Sequence, residues 1–353
     1  MSRPINATTA SRSQPGEVLL ICPLTFSYHV AISEALQAMG HGVTWWNDKA
    51  STSTGYKLAL RLMPGITRRL TQAHYLKLIA ALQTAPRHIL LIKAEGLTDK
   101  VVRRLRERFP GASMGLYLWD GVENVKGVER LAPLFDAVST FDPVDACQYG
   151  WNYRPLFARN VALTAAPSAT KDYDWSFVGT VHSDRHKVIH RLRSHYGERM
   201  RCFVFAYFQS PLVLALRKLA DPTLWAAPRG TLSTASMAAK DVAQIVARSC
   251  AVLDVEHPRQ RGFTMRTIET LLAGKKLITT NQHLVSSDLY DASRVCLIDR
   301  EAPRIPREFL DTPVAPVAAE LHDRYSCAGW AHELLGLQTA GRDASADDQG
   351  TKK

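Results

Sequence analysis

The chain has 353 residues, of which 46% are hydrophobic, and this is enough for two globular domains that each bury a core. Lys and Arg outnumber Asp and Glu by 44 to 33, and the net charge of +11 favours an anionic partner such as phosphate, nucleic acid or a membrane surface. The six cysteines are scattered without a CxxC pair, which predicts a reducing compartment and no structural zinc. No apolar run approaches the roughly 20 residues of a membrane span, and the polar N-terminus lacks the form of a signal peptide. We therefore expect a soluble, cytoplasmic protein.

Short apolar runs alternate with helical patterns along the first half of the chain. Strands are predicted at EVLLIC, GVTWW, HILLIK, MGLYLW and DAVSTF. Between them lie helices such as YHVAISEALQAMG, which Gly40 closes, and TDKVVRRLRERFP, which Thr98 caps and Pro110 ends. This alternation predicts a parallel sheet that is covered by helices on both faces.

The alternation stops at residues 156–173, which are rich in Ala, Thr and Pro and are interpreted as a linker. It resumes with the strands WSFVGT, RCFVF, CAVLDV, KLITT and RVCLID and with the helices DRHKVIHRLRSHY and TMRTIETLLAG. The predicted fold class is α/β, with two Rossmann-like domains, residues 16–155 and 174–335, that face each other across a ligand-binding cleft. The polar segments 1–15 and 336–353 are predicted to be disordered tails.

Several nucleotide-binding and catalytic motifs are absent from the sequence. The first predicted strand continues as ICPLTFSYH without a GxGxxG, so a nicotinamide or flavin fingerprint is not supported. There is also no GxxxxGK[ST], no GxSxG and no HExxH. These absences argue against a P-loop ATPase, an α/β-hydrolase and a zinc protease of the HExxH type.

The stretch RQRGFTMRTIETLLAGKKLITTN, residues 259–281, places arginines at the start of a predicted helix. Thr264 can cap this helix, whose free N–H groups would point toward the C-terminal edge of the sheet. Gly262 permits the close approach of a ligand, and Arg266 can pair with a phosphate group. Glu269 can accept hydrogen bonds from a ribose. The stretch therefore predicts a sugar-nucleotide site with the diphosphate at the helix end.

A structural interpretation of the same residues stays open. In it the loop is basic and solvated, and Arg266 and Glu269 form an ordinary i,i+3 ion pair. Lys275 and Lys276 are interpreted as complements to the negative end of the helix dipole.

The stretch RGFTMRTIETLLAGKKLITTN resembles the donor-binding segment of GT-B glycosyltransferases, whose general form is E-G-F-x-x-x-x-x-E-A-x-x-x-G-x-P-V. Glu269 falls on the second glutamate of that pattern and Gly274 on its glycine, whereas Arg261 stands in place of the first glutamate. Together with DYDWSFVGT and YLWD, the sequence is similar to the CgeB-like "glycosyl transferases group 1" proteins of bacterial capsule and lipopolysaccharide gene clusters. The resemblance implies an N-terminal acceptor-binding domain and a C-terminal nucleotide-sugar-binding domain.

The resemblance also implies an activity and a set of binding residues. The activity is the transfer of a sugar from a sugar nucleotide to a glycan or lipid-linked acceptor of a bacterial surface polysaccharide, with arginines and helix N-termini in the place of a metal ion. Because the first glutamate of the pattern is associated with donor-sugar hydroxyls, Arg261 leaves the transferred sugar open. The predicted donor-binding residues are Gly179, Thr180, Arg185, Gln260, Gly262, Phe263, Thr264, Arg266 and Glu269.

The stretch FVGTVHSDRHK contains the first three of these predicted donor-binding residues. The first strand of the C-terminal domain in GT-B enzymes likewise ends at a glycine turn, which here is Gly179 and Thr180. Arg185 would then hold the donor diphosphate, although a basic solvent-facing helix surface explains it equally well. For Arg191 and Arg193 the solvent-facing interpretation is preferred.

Candidates for the catalytic base lie in the predicted N-terminal domain. Asp120 ends the strand MGLYLWD, Glu95 follows HILLIK, and His29 lies after the first strand, so all three are expected at one edge of the sheet. An inverting transfer needs a carboxylate or an imidazole that takes the proton of the acceptor hydroxyl. We predict Asp120 first and His29 second. As alternatives, His29 caps its helix and Asp120 is a turn residue.

The segment YKLALRLMPGITRRLTQAHYLKLIAAL, residues 56–82, is basic and amphipathic. Its basic residues are Lys57, Arg61, Arg68, Arg69 and Lys77. The segment is interpreted either as a surface that lies on anionic lipid headgroups or as helices that cover the sheet with their charges in water.

Two other functions are considered. A sugar-nucleotide epimerase shares the GT-B fold and is the main alternative. A nucleic-acid-binding module would fit the charge, but the sequence has no motif and no series of stacking aromatic residues for that role, so we expect no nucleic-acid partner.

Overall fold

The computed structural model describes residues 16–24, 27–49, 51, 64–125, 127–159 and 171–350. The chain divides into two compact units. The first unit consists of Met1–Pro155 and Cys327–Lys353, and the second of Leu156–Ser326.

The first unit is built on a six-stranded sheet in the order β2-β1-β3-β4-β5-β6, and all neighbouring strands are parallel. The strands are β1 (Glu17–Ile21), β2 (Gly42–Trp46), β3 (His88–Ile92), β4 (Ser113–Leu118), β5 (Ala137–Thr140) and β6 (Asn152–Tyr153). The helices that accompany them are α1 (Tyr28–Ala38), α2 (Pro64–Ala81), α3 (Asp99–Arg108), α4 (Val128–Leu131) and α5 (Pro143–Tyr149). Every residue of β3 and β4 is buried, as expected for parallel strands covered on both faces.

Local signals at the helix ends agree with the sequence interpretation. The Thr98 side chain accepts a hydrogen bond from the backbone N–H of Val101 and so caps α3, which ends at Arg108 just before Pro110. Gly40 follows α1 with a φ of 88°, a left-handed conformation that glycine adopts without steric cost.

The second unit is also a six-stranded parallel sheet, in the order β12-β11-β10-β7-β8-β9. Its strands are β7 (Tyr173–Thr180), β8 (Cys202–Tyr207), β9 (Leu232–Ser233), β10 (Ser249–Asp254), β11 (Lys276–Thr279) and β12 (Val295–Leu297). Its helices are α6 (Arg185–Tyr196), α7 (Pro211–Ala220), α8 (Ala239–Ala247), α9 (Met265–Leu272), α10 (Arg307–Asp311) and α11 (Ala319–Tyr325). The predicted α/β class with two Rossmann-like domains is confirmed.

The C-terminal boundary was predicted wrongly. Residues 327–335 were assigned to the second domain and 336–353 to a disordered tail, but Cys327–Gly350 is one helix, α12, and it belongs to the first unit. The Trp330 ring is fully buried and lies 4.9 Å from that of Tyr117 in β4, centroid to centroid. A Cβ on Gly115 would come within 2.7 Å of Gln338, so this glycine makes room for α12.

The predicted linker, residues 156–173, is only partly described. Leu156, Phe157 and Ala158 are buried, and Ala158 forms a parallel bridge with Ser326, so this part packs within the second unit instead of linking domains. Residues 160–170 and the predicted N-terminal tail, residues 1–15, lie outside the described residues.

Within the basic segment 56–82, residues 64–81 form helix α2. Residues 56–63 lie outside the described residues. Tyr75 and Ile79 of α2 are 2% and 1% exposed and pack into the core of the first unit, whereas the basic side chains face solvent. This agrees with the interpretation of a helix that covers the sheet. Within the described ranges, no helix is long and apolar enough to cross a membrane.

Candidate functional site

The sheet of the second unit reverses its chain order between β7 and β10, which are adjacent and parallel. The chain runs outward through β8 and β9 on one side and through β11 and β12 on the other. In open parallel sheets, ligands bind outside the carboxyl ends of the strands at such a switch point. The predicted donor motif FVGTVHSDRHK lies at the end of β7, and the predicted donor stretch 259–281 follows the end of β10.

Arg185 joins the two loops at the switch point. Its side chain is 6% exposed, and it donates from Nε to the carbonyl of Val255 at 2.7 Å and from Nη1 to the carbonyl of Thr180 at 2.8 Å. Burial lowers the pKa of Arg185 to about 10, with Asp254 opposing and Arg266 adding to this shift. The guanidinium therefore stays charged at neutral pH and acts as a structural cross-link beneath the site.

Arg266 lies against the end of β7. A Cβ on Gly179 would come within 2.8 Å of Nη1 of Arg266, so the glycine leaves the space that the guanidinium occupies. Cζ of Arg266 also lies 5.5 Å from the centroid of the Phe177 ring. In the part of the chain that the structure describes, the Arg266 guanidinium donates no hydrogen bond. Its donors are thus available for an anion at this edge.

Helix α9 begins at the same edge. Thr264 is its N-cap, and the Thr264 hydroxyl oxygen accepts from the backbone N–H of Thr267 at 3.1 Å, as predicted. The hydroxyl groups of Thr264 and Thr267 both donate to Oδ2 of Asp254, at the end of β10. Buried Asp254 therefore sets the direction of the helix start.

The loop before α9 is held by a side chain that the sequence interpretation did not assign to the site. Nδ2 of Asn281 donates to the carbonyls of Arg261 and Gly262 at 3.1 and 3.3 Å. Phe263 is 2% exposed, so it anchors the loop in the core. The Gln260 backbone N–H donates to the carbonyl of His257 at 2.9 Å, which closes a turn.

Glu269 is paired, but not with the residue that the structural interpretation expected. Its Oε1 lies 3.2 Å from Nε of Arg159, which is 110 positions away in the sequence. No ion pair between Arg266 and Glu269 is found among the described residues. The i,i+3 pair of the alternative, structural interpretation is therefore not formed, and Arg266 and Glu269 contact different neighbours.

Two histidines at the switch point were missed. The rings of His182 and His257 lie 5.7 Å apart, one after each of the central strands. Burial, and next the charge of Arg185, lowers the pKa of His182 to about 4, so its imidazole is neutral at physiological pH. Ser183 follows with a φ of 48°, which is uncommon outside glycine. The signal was present, because both histidines directly follow predicted strands in FVGTVHS and LDVEH.

An ion-pair network around Arg300 connects the loops at this edge of the sheet. Arg300 donates to Asp184 at 3.0 Å and to the backbone carbonyl of Glu256 at 2.9 Å, and it also pairs with the Glu256 carboxylate. The Thr280 hydroxyl donates to Oε2 of Glu256 at 2.6 Å. Thus the ends of β10 and β11 and the start of α6 are tied together.

In the first unit, a lysine joins the predicted carboxylates. Nζ of Lys93 lies 2.9 Å from Asp120 and 3.3 Å from Glu95, and Lys49 pairs with Glu95 at 3.1 Å. Lys93 and Ala94 both have positive φ, of 78° and 61°, so the loop after β3 is held in an uncommon conformation. The expectation that Asp120 and Glu95 lie together is confirmed.

His29 lies in the first turn of α1 and not in the loop before it, and Ser27, not His29, is the N-cap position. The His29 ring stacks on that of Trp45 with centroids 4.3 Å apart, and burial lowers its pKa. The neighbouring Tyr28 ring lies 6.0 Å from that of Trp119, which precedes Asp120. His29 is therefore near the same edge of the sheet as Asp120.

Asp48, which follows β2, was also missed. It is 1% exposed, and neither carboxylate oxygen has a hydrogen-bond partner among the described residues. Burial raises the pKa of Asp48 to about 6, and the charges of Lys49 and Lys93 oppose this shift while Glu95 adds to it. An unpartnered buried carboxylate is costly to fold and is a common mark of a functional site.

Comparison with solved structures identifies the fold of the chain. No family model matches the chain, and no curated protein matches its sequence. Among solved structures it is similar to AviGT4, a glycosyltransferase involved in avilamycin A biosynthesis, with a TM-score of 0.57 and 11% identity over 92% of this chain and 97% of that one. The chain has the GT-B fold.

Further structures share this fold. The lipopolysaccharide outer core galactosyltransferase WaaB has a TM-score of 0.53 and 11% identity, over 92% of this chain and 99% of that one. Anabaena HepE in complex with UDP and glucose has a TM-score of 0.52 and 13% identity, over 96% of this chain and 100% of that one. The UDP-GlcNAc 2-epimerase from Methanocaldococcus jannaschii has a TM-score of 0.50 and 9% identity, over 93% and 100%.

Proposed function

We propose that this protein is a glycosyltransferase that uses a sugar nucleotide as donor. The observation that carries the proposal is the arrangement at the switch point of the second sheet. There Arg266 lies over Gly179 with its donors available, above the buried charge of Arg185. The solved structures with the same fold include the glycosyltransferases WaaB and AviGT4, and also HepE in complex with UDP and glucose.

In this proposal the diphosphate of the donor binds Arg266. A guanidinium can bind two phosphate oxygens at once, and the positive end of the α9 dipole favours an anion at the same edge. When the bond from the sugar to the diphosphate breaks, negative charge grows on the leaving group. Fixed positive charge at that point stabilises the transition state without reorganisation, which is the role we propose in place of a metal ion.

Glu269 is proposed to bind the ribose of the donor. Its ion pair with Arg159 holds the carboxylate in one orientation, and ribose hydroxyl groups can donate to oxygen lone pairs that the pair leaves unused. The neutral His182 imidazole, which follows the same strand end as Gly179, is proposed to offer the donor a hydrogen bond without adding charge.

The acceptor hydroxyl must lose its proton as it attacks the anomeric carbon. Asp120, ion-paired with Lys93, stays our prediction for this base, with His29 as the second candidate. The acceptor is proposed to be a glycan or lipid-linked glycan of a bacterial surface polysaccharide. The support for this is the resemblance of residues 254–281 and 173–185 to the CgeB-like proteins and the fold shared with WaaB.

The test has two steps. Nucleoside diphosphates are first screened by thermal shift, because a ligand that binds only the folded state raises the unfolding midpoint. The matching sugar nucleotides are then incubated with the protein and EDTA, and release of the nucleoside diphosphate is followed, with water taking the sugar because no acceptor is added. We expect release that EDTA does not abolish. Release that EDTA abolishes and magnesium restores would contradict the metal-independent mechanism, and no thermal shift with any nucleotide would contradict the donor site.

A sugar-nucleotide epimerase is the second candidate, because the epimerase from Methanocaldococcus jannaschii shares the fold. The same incubation separates the two. An epimerase converts the donor into an isomer of equal mass and needs no acceptor, whereas a transferase releases the nucleoside diphosphate.

A further inference from the structure

Helix α7, Pro211–Ala220, is composed mostly of apolar residues, yet none of its residues is buried. Leu212, Leu216 and Leu219 recur at the spacing of one helix face and are 69%, 57% and 78% exposed. Trp225, just after the helix, is 66% exposed. These four side chains are called the α7 patch.

Local contacts stabilise the start of the helix, and little of it packs against the core. Ser210 is its N-cap and accepts from the backbone N–H of Val213 at 3.2 Å, and Pro211 occupies the first helical position. Leu214 is the α7 side chain that packs against the core of the second unit. A short helix normally owes its stability to a buried apolar face, so an apolar face left in water marks a docking surface.

Positive charge surrounds the α7 patch. The helix carries Arg217 and Lys218 in its last turn and contains no Asp or Glu. Nζ of Lys218 lies 4.7 Å from the centroid of the Trp225 ring, and Nε1 of Trp225 donates to the Lys218 carbonyl at 3.0 Å. Lys187, which is 50% exposed, lies near the helix end with its Nζ 3.8 Å from Oδ2 of Asp221.

The carboxylate of Asp221 lies close to the patch, and its oxygens already have partners. Asp221 accepts from the Thr223 hydroxyl at 2.6 Å and from its backbone N–H at 3.0 Å, and it lies 2.6 Å from Nε2 of His186. These contacts hold it at the end of α7. The outward surface is therefore apolar in the centre and basic at the sides.

We propose that the α7 patch docks onto the surface of a bilayer that contains anionic phospholipid. Ten residues of helix span about 15 Å, which is too short to cross a bilayer, so the helix would lie in the plane of the interface. The leucines would enter the acyl region, while Arg217 and Lys218 meet lipid phosphates. Trp225 has the amphipathic character of residues enriched at that depth.

The basic rim favours a lipid surface over a second copy of the chain. Two copies that met through this face would bring Arg217 and Lys218 of one near the same residues of the other, which like-charge repulsion opposes. An anionic bilayer presents the opposite charge. The proposal does not depend on the glycosyltransferase function, and it places membrane contact on the second unit instead of the segment 56–82.

The experiment is co-sedimentation of the full chain with vesicles of phosphatidylcholine alone and with vesicles of phosphatidylcholine and phosphatidylglycerol. We expect binding to the anionic vesicles that weakens as salt is raised. Leu216→Glu should weaken this binding roughly tenfold or more. The matched controls are Val285→Glu, at a 49% exposed position of the same unit, and Leu70→Glu, at a 51% exposed position of α2. Both should bind as the wild type does.

Thermal melts of each variant establish that it folds, which is expected because every substituted side chain is largely exposed. The proposal is overturned if the wild type binds neither kind of vesicle, or binds both equally. It is also overturned if Leu216→Glu binds as well as Val285→Glu, or if Leu70→Glu alone loses binding, which would assign the contact to α2. A concentration-dependent dimer that Leu216→Glu dissociates, with no vesicle binding, would identify a second copy as the partner. The thermal shift that a nucleotide produces is measured independently of vesicle binding. The membrane proposal and the glycosyltransferase proposal can therefore fail separately.

Discussion

Arg266 has the position of a ligand-binding side chain more than of a structural one. It lies against Gly179 and the Phe177 ring, whereas the nearby Arg185 is buried and bonded to two backbone carbonyls. Arg185 therefore cross-links the loops, whereas Arg266 is available for a ligand. Sequence reasoning had treated both as equivalent candidates for the diphosphate.

Arg266→Ala is therefore expected to weaken binding of a nucleoside diphosphate by about tenfold or more, since a hydrogen bond to a charged group contributes roughly 1.5–3 kcal/mol. Calorimetric titration measures the change. Arg229→Ala, which removes an exposed arginine from the same unit, is the matched control for net charge. Equal affinities in the wild type and both variants would exclude Arg266 from the donor site.

Asp48 makes stability depend on pH. Its pKa is raised by burial from 3.8 to about 6, so the unfolded chain releases this proton at lower pH than the folded chain does. The contribution of Asp48 to stability is therefore full below pH 4 and is lost as pH rises to about 6. Above that, the charged carboxylate destabilises the fold by roughly 1–3 kcal/mol.

Asp48→Asn should then raise the free energy of unfolding at pH 7.5 and leave it little changed at pH 4. Urea denaturation at both pH values measures the difference. A variant that is less stable than the wild type at pH 7.5 would show that Lys49 and Lys93 stabilise the charged form by more than burial opposes it.

At the scale of elements, the start of α9 depends on one hydroxyl group that makes two hydrogen bonds. The Thr264 side chain accepts from the Thr267 backbone N–H and donates to buried Asp254. The cap was predictable from sequence, because a Thr before a helical pattern is a local signal. The bond to Asp254 was not, because it joins the helix to the end of another element.

Thr264→Ala removes both bonds and is expected to lower the free energy of unfolding by about 1–2 kcal/mol. Thr264→Ser keeps the hydroxyl and should restore most of the loss. The measurement is chemical denaturation of the three proteins. If the Ser variant is as unstable as the Ala variant, the methyl group and not the hydrogen bonds accounts for the effect.

Each of the two units buries a hydrophobic core of its own. The second unit contains the proposed donor site, and α12 completes the first unit after the chain has passed through the second. We expect a nucleoside diphosphate to stabilise the second unit by mass action. A large-to-small change in α12 should destabilise the first.

Trp330→Ala tests this division. Removing a fully buried Trp is expected to destabilise the first unit by roughly 3–5 kcal/mol. In calorimetry, Trp330→Ala should lower the midpoint of one unfolding step, and the nucleotide should raise the midpoint of the other. A single step that both changes shift equally would show that the two cores unfold together.

Features that depend on neighbouring residues were predicted from the sequence alone. The strand and helix alternation, the caps at Thr98 and Thr264 and the helix end at Gly40 follow from side-chain periodicity and local hydrogen bonding. These local preferences also predicted two parallel sheets, because helices between successive strands leave few other topologies.

Tertiary structure decided what depends on residues far apart in the chain. The pairing of Glu269 with Arg159 spans 110 positions, and the contact of Ser113 with Gln338 spans 225, so no sequence pattern links either pair. Residues 336–353 were predicted to be disordered because they are polar and rich in small residues, yet Gln338 is 1% exposed where Gly115 leaves room for it. Asp48 was not singled out from the sequence, and it becomes a perturbed carboxylate through its burial. The deciding interaction is an ion pair, packing or desolvation, and each of these arises only when distant segments meet.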